Sequence, residues 1–170
     1  MHSLDEVLER YERDLRTLDK GECEKMIECV EFRDHFRGAF RQQYGPKLNE
    51  VRKKLLSKNH RAEVEESLYD GTFYSFSLAV IPRHLFRFPV DRYYPHSLWS
   101  TISFIANEHT LTVDIETIVR PTVEILETTS VEKIPRDEFC SDLLMERVCE
   151  YLEKVFDETI VQDCKVAKEQ

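Results

Sequence analysis

The residue types best suited to binding chemistry are concentrated in one connection between two predicted strands, residues 82–98. From Pro82 to Ser97 this connection contains three arginines, two histidines, four aromatic residues and one acid. It is long for a loop without secondary structure, which is typical of functional or disordered segments. Its aromatic residues argue against disorder. Two interpretations stay open: a surface that contacts a partner or ligand, or an ordered loop, with residues 85–90 as an edge strand, that seals one end of the core.

The predicted partner surface combines arginines with aromatic side chains. Planar guanidinium groups hold carboxylates or phosphates through paired hydrogen bonds, and aromatic rings bind at a low cost in conformational entropy. The members of this surface are Arg83, Phe86, Arg87, Arg92, Tyr93, Tyr94 and Trp99, with Arg37 and Arg41 as flanking residues.

The second predicted helix carries a Phe-Arg dipeptide every four residues. The repeat occurs at Phe32-Arg33, Phe36-Arg37 and Phe40-Arg41. Because residues four apart lie on nearly the same helix face, the phenylalanines form one stripe and the arginines form the adjacent stripe. We expect the phenylalanines in the core. The arginines are then solvated, paired with acids of the C-terminal helix or of another subunit, or bound to an anionic partner.

The charge of the chain is strongly segregated. Residues 33–61 hold nine Lys or Arg against two acids, whereas residues 99–170 hold seven against sixteen, and the whole chain has a net charge of −9. Binding of nucleic acid or of a phosphate ligand through residues 33–61 is therefore an alternative function, although such domains are typically basic overall. The opposite charges, together with an apolar seam from Leu4 to Leu18, also predict self-association, most simply as a homodimer.

Catalytic patterns are sparse in this sequence. Phosphate-binding glycine loops, His-Glu-x-x-His and Gly-x-Ser-x-Gly are absent, and the five cysteines form no Cys-x-x-Cys pair. We therefore predict no catalytic residue, no cofactor and no metal, and we expect reduced thiols. An enzyme with a histidine–carboxylate site near the sheet is the second alternative. Its candidates are His84, His96 and His109 with Asp114 or Glu116, and the pair Glu31 and His35 four residues apart.

Hydrophobic periodicity predicts an α+β domain over residues 1–160 with a frayed tail at 161–170. Three helices occupy residues 1–70, the third continuing to Leu68, and Tyr44-Gly45-Pro46 ends the second. A four-stranded antiparallel sheet follows in 72–129, and a C-terminal helix covers 135–160. The helices are expected on one face of the sheet. The predicted strands are 72–81, 99–106, 109–119 and 122–129.

Taken with the absence of catalytic motifs, these patterns favour a non-catalytic protein-binding module of the adaptor or chaperone-like kind. No apolar run approaches the ~20 residues that a membrane span needs. The N-terminus, Met-His-Ser-Leu-Asp-Glu, lacks the apolar stretch of a secretory signal. We therefore expect a cytoplasmic protein.

Overall fold

A computed structural model of the chain describes residues 3–17, 20–69, 73–85, 99–120 and 127–169. It confirms the α+β class with an antiparallel sheet. Among these residues no helix is both long and apolar enough to cross a membrane. The helical elements are α1 (Leu4–Thr17), α2 (Lys20–Ala39), a π-helical turn (Phe40–Tyr44), α3 (Gly45–Ser57), a 3-10 turn (Arg83–Leu85) and α4 (Ser141–Glu169).

The sheet has five described strands rather than the predicted four, and each strand pairs antiparallel with the next one along the chain. The order β1-β2-β3-β4-β5 is that of a simple meander, which leaves β1 and β5 at the edges of this sheet. The strands are β1 (Arg61–Tyr69), β2 (Phe73–Ile81), β3 (Ser100–Asn107), β4 (Thr112–Val119) and β5 (Thr128–Pro135).

The core lies between one face of the sheet and the helices. Phe76, Phe104 and Ile115 are direct neighbours across β2, β3 and β4, and all three are buried. The ring of Phe36 on α2 stacks on Phe76 at 5.3 Å between centroids. On α4, the buried Tyr151 lines a cleft with Ile102 and Ile115, which lie on the Phe104 face of the sheet. Helices α2 and α4 therefore cover the same face, as predicted.

The boundary between α2 and α3 differs from the prediction. Tyr44-Gly45-Pro46 does not end the helix, because Gly45 has helical dihedral angles and its N–H bonds to the Phe40 carbonyl. This π-helical turn widens the helix just where Pro46, which lacks an N–H and crowds the preceding turn, has to be accommodated. A single helical segment thus runs from Lys20 to Ser57.

The prediction that the third helix continues to Leu68 was wrong. Helix α3 ends in a Schellman motif, in which His60 N–H bonds to the Leu55 carbonyl and Asn59 N–H to the Leu56 carbonyl. Asn59 has a φ of 65°, which asparagine tolerates better than most residues. After this turn, residues 61–69 form the edge strand β1, so residues 1–70 are not wholly helical.

The C-terminal elements also shift relative to the prediction. Pro135 is the last residue of β5 rather than the first turn of a helix, and α4 begins at Ser141 and continues to Glu169 through the predicted frayed tail. An edge strand tolerates a proline at its end because no ladder bond is lost there. Of the predicted strand 122–129, residues 122–126 lie outside the described residues.

One face of β4 is buried and the other is partly exposed. Val113 and Ile115 are buried, whereas Thr112 and Asp114 are partly exposed on the other face. Asp114 accepts hydrogen bonds from Thr112 and from Asn107 of the adjacent strand, at 2.6 and 2.9 Å. This network holds the hairpin between β3 and β4 and gives Asp114 a structural role.

Candidate functional site, an arginine-lined groove

A groove of about 460 Å³ runs between α2 and the edge strand β1. We call it the arginine groove, because three arginines of α2 and the π-helical turn form one wall. Residues of β1 and one tyrosine of β2 form the other. It is lined by Arg33, Arg37, Arg41, Glu66, Ser67, Leu68 and Tyr74.

The Phe-Arg repeat positions the arginine wall. Phe32, Phe36 and Phe40 are all buried in the core, as the sequence predicts. Phe36 alone contacts five aromatic rings at centroid distances of 5.3 to 6.0 Å. Burial of this stripe sets the rotation of α2, and the adjacent arginine stripe is then directed along β1.

Glu66 is the centre of the groove. Its Oε1 lies 3.5 Å from Arg41 Nη2 and 3.9 Å from Arg37 Nε, and it accepts a hydrogen bond from the Tyr74 hydroxyl at 3.1 Å. Burial, followed by the charge of Glu66, raises the pKa of Tyr74, so the tyrosine stays a neutral donor. Glu66 therefore accepts hydrogen bonds from Arg41 and Tyr74 and forms a longer ion pair with Arg37.

Arg33 has different partners at the end of the groove. Its guanidinium lies 3.5 Å from both Asp34 and Glu108. The prediction that acids of the C-terminal helix pair with the arginine stripe finds no support among the described contacts. The acids of α4 are instead close to basic residues of α4 itself, as in Arg147–Glu150 and Lys154–Glu158.

The groove carries an excess of positive charge. Within the described residues the ion pairs of Arg37 and Arg41 all go to Glu66, and their side chains are 53% and 59% exposed. A guanidinium has five N–H donors in a planar fork, and two such groups exceed what one shared carboxylate can occupy. The free donors fit carboxylate or phosphate oxygens, which Arg binds in bidentate fashion.

The same face of α2 becomes apolar towards its N-terminus. Met26, Val30 and Arg33 follow one another at spacings of four and three residues, the spacing of a single helix face. Met26 and Val30 are exposed. The face from Met26 to Arg41 thus offers apolar contact at one end and guanidinium groups at the other.

Only part of the predicted loop surface can be placed. Arg83 lies in the 3-10 turn after β2, and Trp99 directly precedes β3, whose first residue pairs with Val80 near the same sheet end. The groove residue Glu66 pairs with Phe76, seven residues before Arg83 and so roughly 20 Å away along the strand. Arg37 and Arg41 come together, but not with Arg83 and Trp99. Phe86, Arg87, Arg92, Tyr93 and Tyr94 lie outside the described residues.

Two of the predicted histidines lie at opposite ends of β2. His109 packs against Phe73 at the start of the strand, with ring centroids 5.4 Å apart, whereas His84 follows its end. The strand between them spans roughly 26 Å, so these two do not meet. His96 lies outside the described residues. His84 instead lies near His60, whose pKa is lowered by burial and then by the charge of Arg83.

Glu31 and His35 lie on the rim of a second cleft of about 470 Å³, whose aromatic floor includes Phe36, Tyr44 and Phe139. Arg136 of the same cleft bonds to Glu28 of α2. Across the part of the chain that the structure describes, no three His, Cys, Asp or Glu residues group as metal ligands would. Asp114 is used structurally, as described above.

The sequence prediction missed Glu66, Tyr74 and Leu68 as groove residues. Glu66 was placed in a helix, where it would not oppose α2. A strand is indicated here by the alternation of the apolar residues Ala62 and Val64 with charged residues. Continued along the chain, this alternation places Glu66 and Leu68 on the same face of β1 as Ala62 and Val64.

Comparisons with known proteins add no functional information: no protein-family model, no curated protein and no solved structure matches this chain. The chemistry of its own side chains must therefore indicate what it does.

Proposed function

We propose that this protein is a cytoplasmic, non-catalytic binding module that holds an acidic segment of a protein in the arginine groove. The observation that carries the proposal is the sharing of one carboxylate, Glu66, by Arg37 and Arg41 in an open groove. An incoming carboxylate finds donors already held in place by the buried phenylalanine stripe. Preorganisation of this kind lowers the entropy cost of binding.

The groove favours an amphipathic acidic segment over a simple anion. Exposed Leu68 on β1 and exposed Met26 and Val30 on α2 offer apolar contact beside the guanidinium groups. Apolar anchors next to charged groups are typical of protein interfaces, in which a few buried residues dominate the affinity. The predicted surface around residues 83–99 stays a prediction, and its described members, Arg83 and Trp99, lie away from the groove.

The test measures the fluorescence anisotropy of a short acidic amphipathic peptide, with a second peptide in which every Glu is replaced by Lys. Wild-type protein should bind the acidic peptide and not the basic one. The double variant Arg37→Glu/Arg41→Glu should lose at least about tenfold in affinity, because a charged hydrogen bond contributes roughly 1.5–3 kcal/mol. Equal binding of the acidic peptide by both proteins would contradict the proposal.

A matched control separates this function from the nucleic-acid alternative. Lys53 and Lys54 on α3 are exposed, lie outside the groove and allow the same change of charge. Lys53→Glu/Lys54→Glu should leave binding of the acidic peptide nearly unchanged. If an oligonucleotide binds instead, with a steep salt dependence and with loss in the Lys53/Lys54 variant, residues 33–61 bind nucleic acid and the proposal fails.

A further inference from the structure

Helix α1 is strongly amphipathic, but none of its residues is buried. The N-terminus of the helix is capped, because Ser3 and Glu6 form a capping box: Ser3 N–H bonds to the Glu6 carboxylate at 2.9 Å and Glu6 N–H to the Ser3 hydroxyl at 3.2 Å. Leu4, Leu8 and Tyr11 nevertheless lie 71%, 50% and 60% exposed. A capped helix with an exposed apolar stripe is typical of a docking surface.

The charges beside this stripe determine what it fits. At 100° per residue, Asp5 and Glu12 lie along one side of the stripe and Asp14 lies along the other. Arg10 and Arg13 lie on the opposite face together with Glu6 and Glu9, whereas Arg16 lies about 20° from Asp5. Two copies of α1 placed stripe to stripe would bring like charges together, which weakens such pairing. The stripe therefore requires a basic apolar face.

The face of α2 from Met26 to Arg41 meets this requirement. It is apolar at Met26 and Val30 and basic from Arg33 onwards. At 1.5 Å per residue this face is about 22 Å long, and the 14-residue helix α1 is about 21 Å long. Both the charge and the length of the two surfaces are complementary.

Helix α1 cannot cover the whole of this face within its own chain. Folded back as a hairpin from Lys20, it would extend about 21 Å along α2, whereas Arg41 lies about 31 Å from the start of α2. The Arg41 end of the face is then reached only by α1 of another molecule.

We infer that the arginine groove takes α1 of a second copy of this chain, and that each copy receives the helix of the other in a two-fold dimer. This inference rests on the proposed function, because it names the acidic segment that fills the same groove. A two-fold interface uses each surface twice, so every dimer contains two equivalent contacts. An external acidic segment competes with α1 for Arg37 and Arg41.

The test uses two charge-reversed full-length variants. The arm variant is Asp5→Lys/Glu12→Lys/Asp14→Lys, and the groove variant is Arg37→Glu/Arg41→Glu. Sedimentation equilibrium should show a dimer for the wild type and for Lys53→Glu/Lys54→Glu. Each reversed variant alone should weaken the dimer at least about tenfold. Mixed in equal amounts, the two variants should form a heterodimer, because each helix then meets a groove of opposite charge.

Mixed variants that stay monomeric, or an arm variant that dimerises like the wild type, would overturn the inference. Circular dichroism spectra and melting curves confirm that both variants fold. The acidic peptide probe separates the two proposals. If the arm variant binds that probe but the wild type is a monomer, the inference fails and the proposed function stands. If a folded arm variant does not bind the probe, the proposed function fails too.

Discussion

Helices α1 and α2 carry apolar side chains at the same helical spacing, and these side chains have opposite environments. Phe32, Phe36 and Phe40 of α2 and its π-helical extension are buried against the sheet, whereas Leu4 and Tyr11 of α1 are exposed. The spacing thus identifies a face that favours contact, but not what covers it. Charge provides the second criterion. Beside the phenylalanine stripe, Arg37 and Arg41 form ion pairs with Glu66 of the same chain. For the acids beside the α1 stripe, no ion pair with a basic side chain is seen among the described residues.

The largest expected difference between the two stripes is in stability. Phe36→Ala should lower the free energy of unfolding by about 3–5 kcal/mol, because the buried ring leaves a cavity among five aromatic neighbours. Leu8→Ala, at protein concentrations where the chain is monomeric, should change it by no more than about 0.5 kcal/mol. Urea unfolding measures both. Comparable losses would show that α1 is packed in the monomer.

Two glycines allow a second comparison within the long helical segment. A Cβ on Gly45 would lie 2.8 Å from the Phe40 carbonyl oxygen, whereas a Cβ on Gly38 meets nothing within 4 Å. Gly45→Ala should destabilise the protein by about 1–3 kcal/mol, since the backbone of the π-helical turn must shift. Gly38→Ala should stabilise it by about 0.4–1 kcal/mol, since alanine restricts the unfolded chain. Thermal unfolding of the two variants should therefore shift in opposite directions.

The central strands could be predicted from the sequence, and the edge strands could not. In β4 buried residues alternate with partly exposed ones, and β2 and β3 contain longer buried runs of mostly apolar residues, so all three strands carry a clear apolar signal. Strand β1 contains Glu63, Glu65 and Glu66, which suit a helix equally well. It pairs on one side only, so fewer apolar residues mark it. The arginine groove was missed for the same reason, because Glu66 faces Arg37 only when β1 is a strand.

A pH dependence of stability is expected from His60, which lies between α3 and β1. His60 Nδ1 accepts the Arg83 N–H at 3.0 Å, and burial with Arg83 nearby lowers the pKa of His60. As the pH falls, the unfolded state therefore binds the proton before the folded state does. The contribution of His60 to the free energy of unfolding is complete above the unfolded pKa of about 6.5 and declines as the pH falls below it.

The size of this effect is that of one hydrogen bond, about 0.5–1.5 kcal/mol. Denaturant midpoints measured from about pH 7.5 down to about pH 5.5 should fall in the wild type and fall less in His60→Asn, which keeps an acceptor but does not titrate. A fall of equal size in both proteins would assign the pH dependence to other groups.

The most direct test of the account is whether α1 becomes bound in the arginine groove of a second copy. Hydrogen–deuterium exchange measures this binding as the protein concentration is raised. Amides of α1 and of α2 between Met26 and Arg41 should become more protected together, while those of β2 and β3 stay unchanged. In Arg37→Glu/Arg41→Glu this concentration-dependent protection should disappear. If α1 exchanges at the same rate at all concentrations in the wild type, or if its protection persists in the variant, the arginine groove does not receive the helix of a second copy.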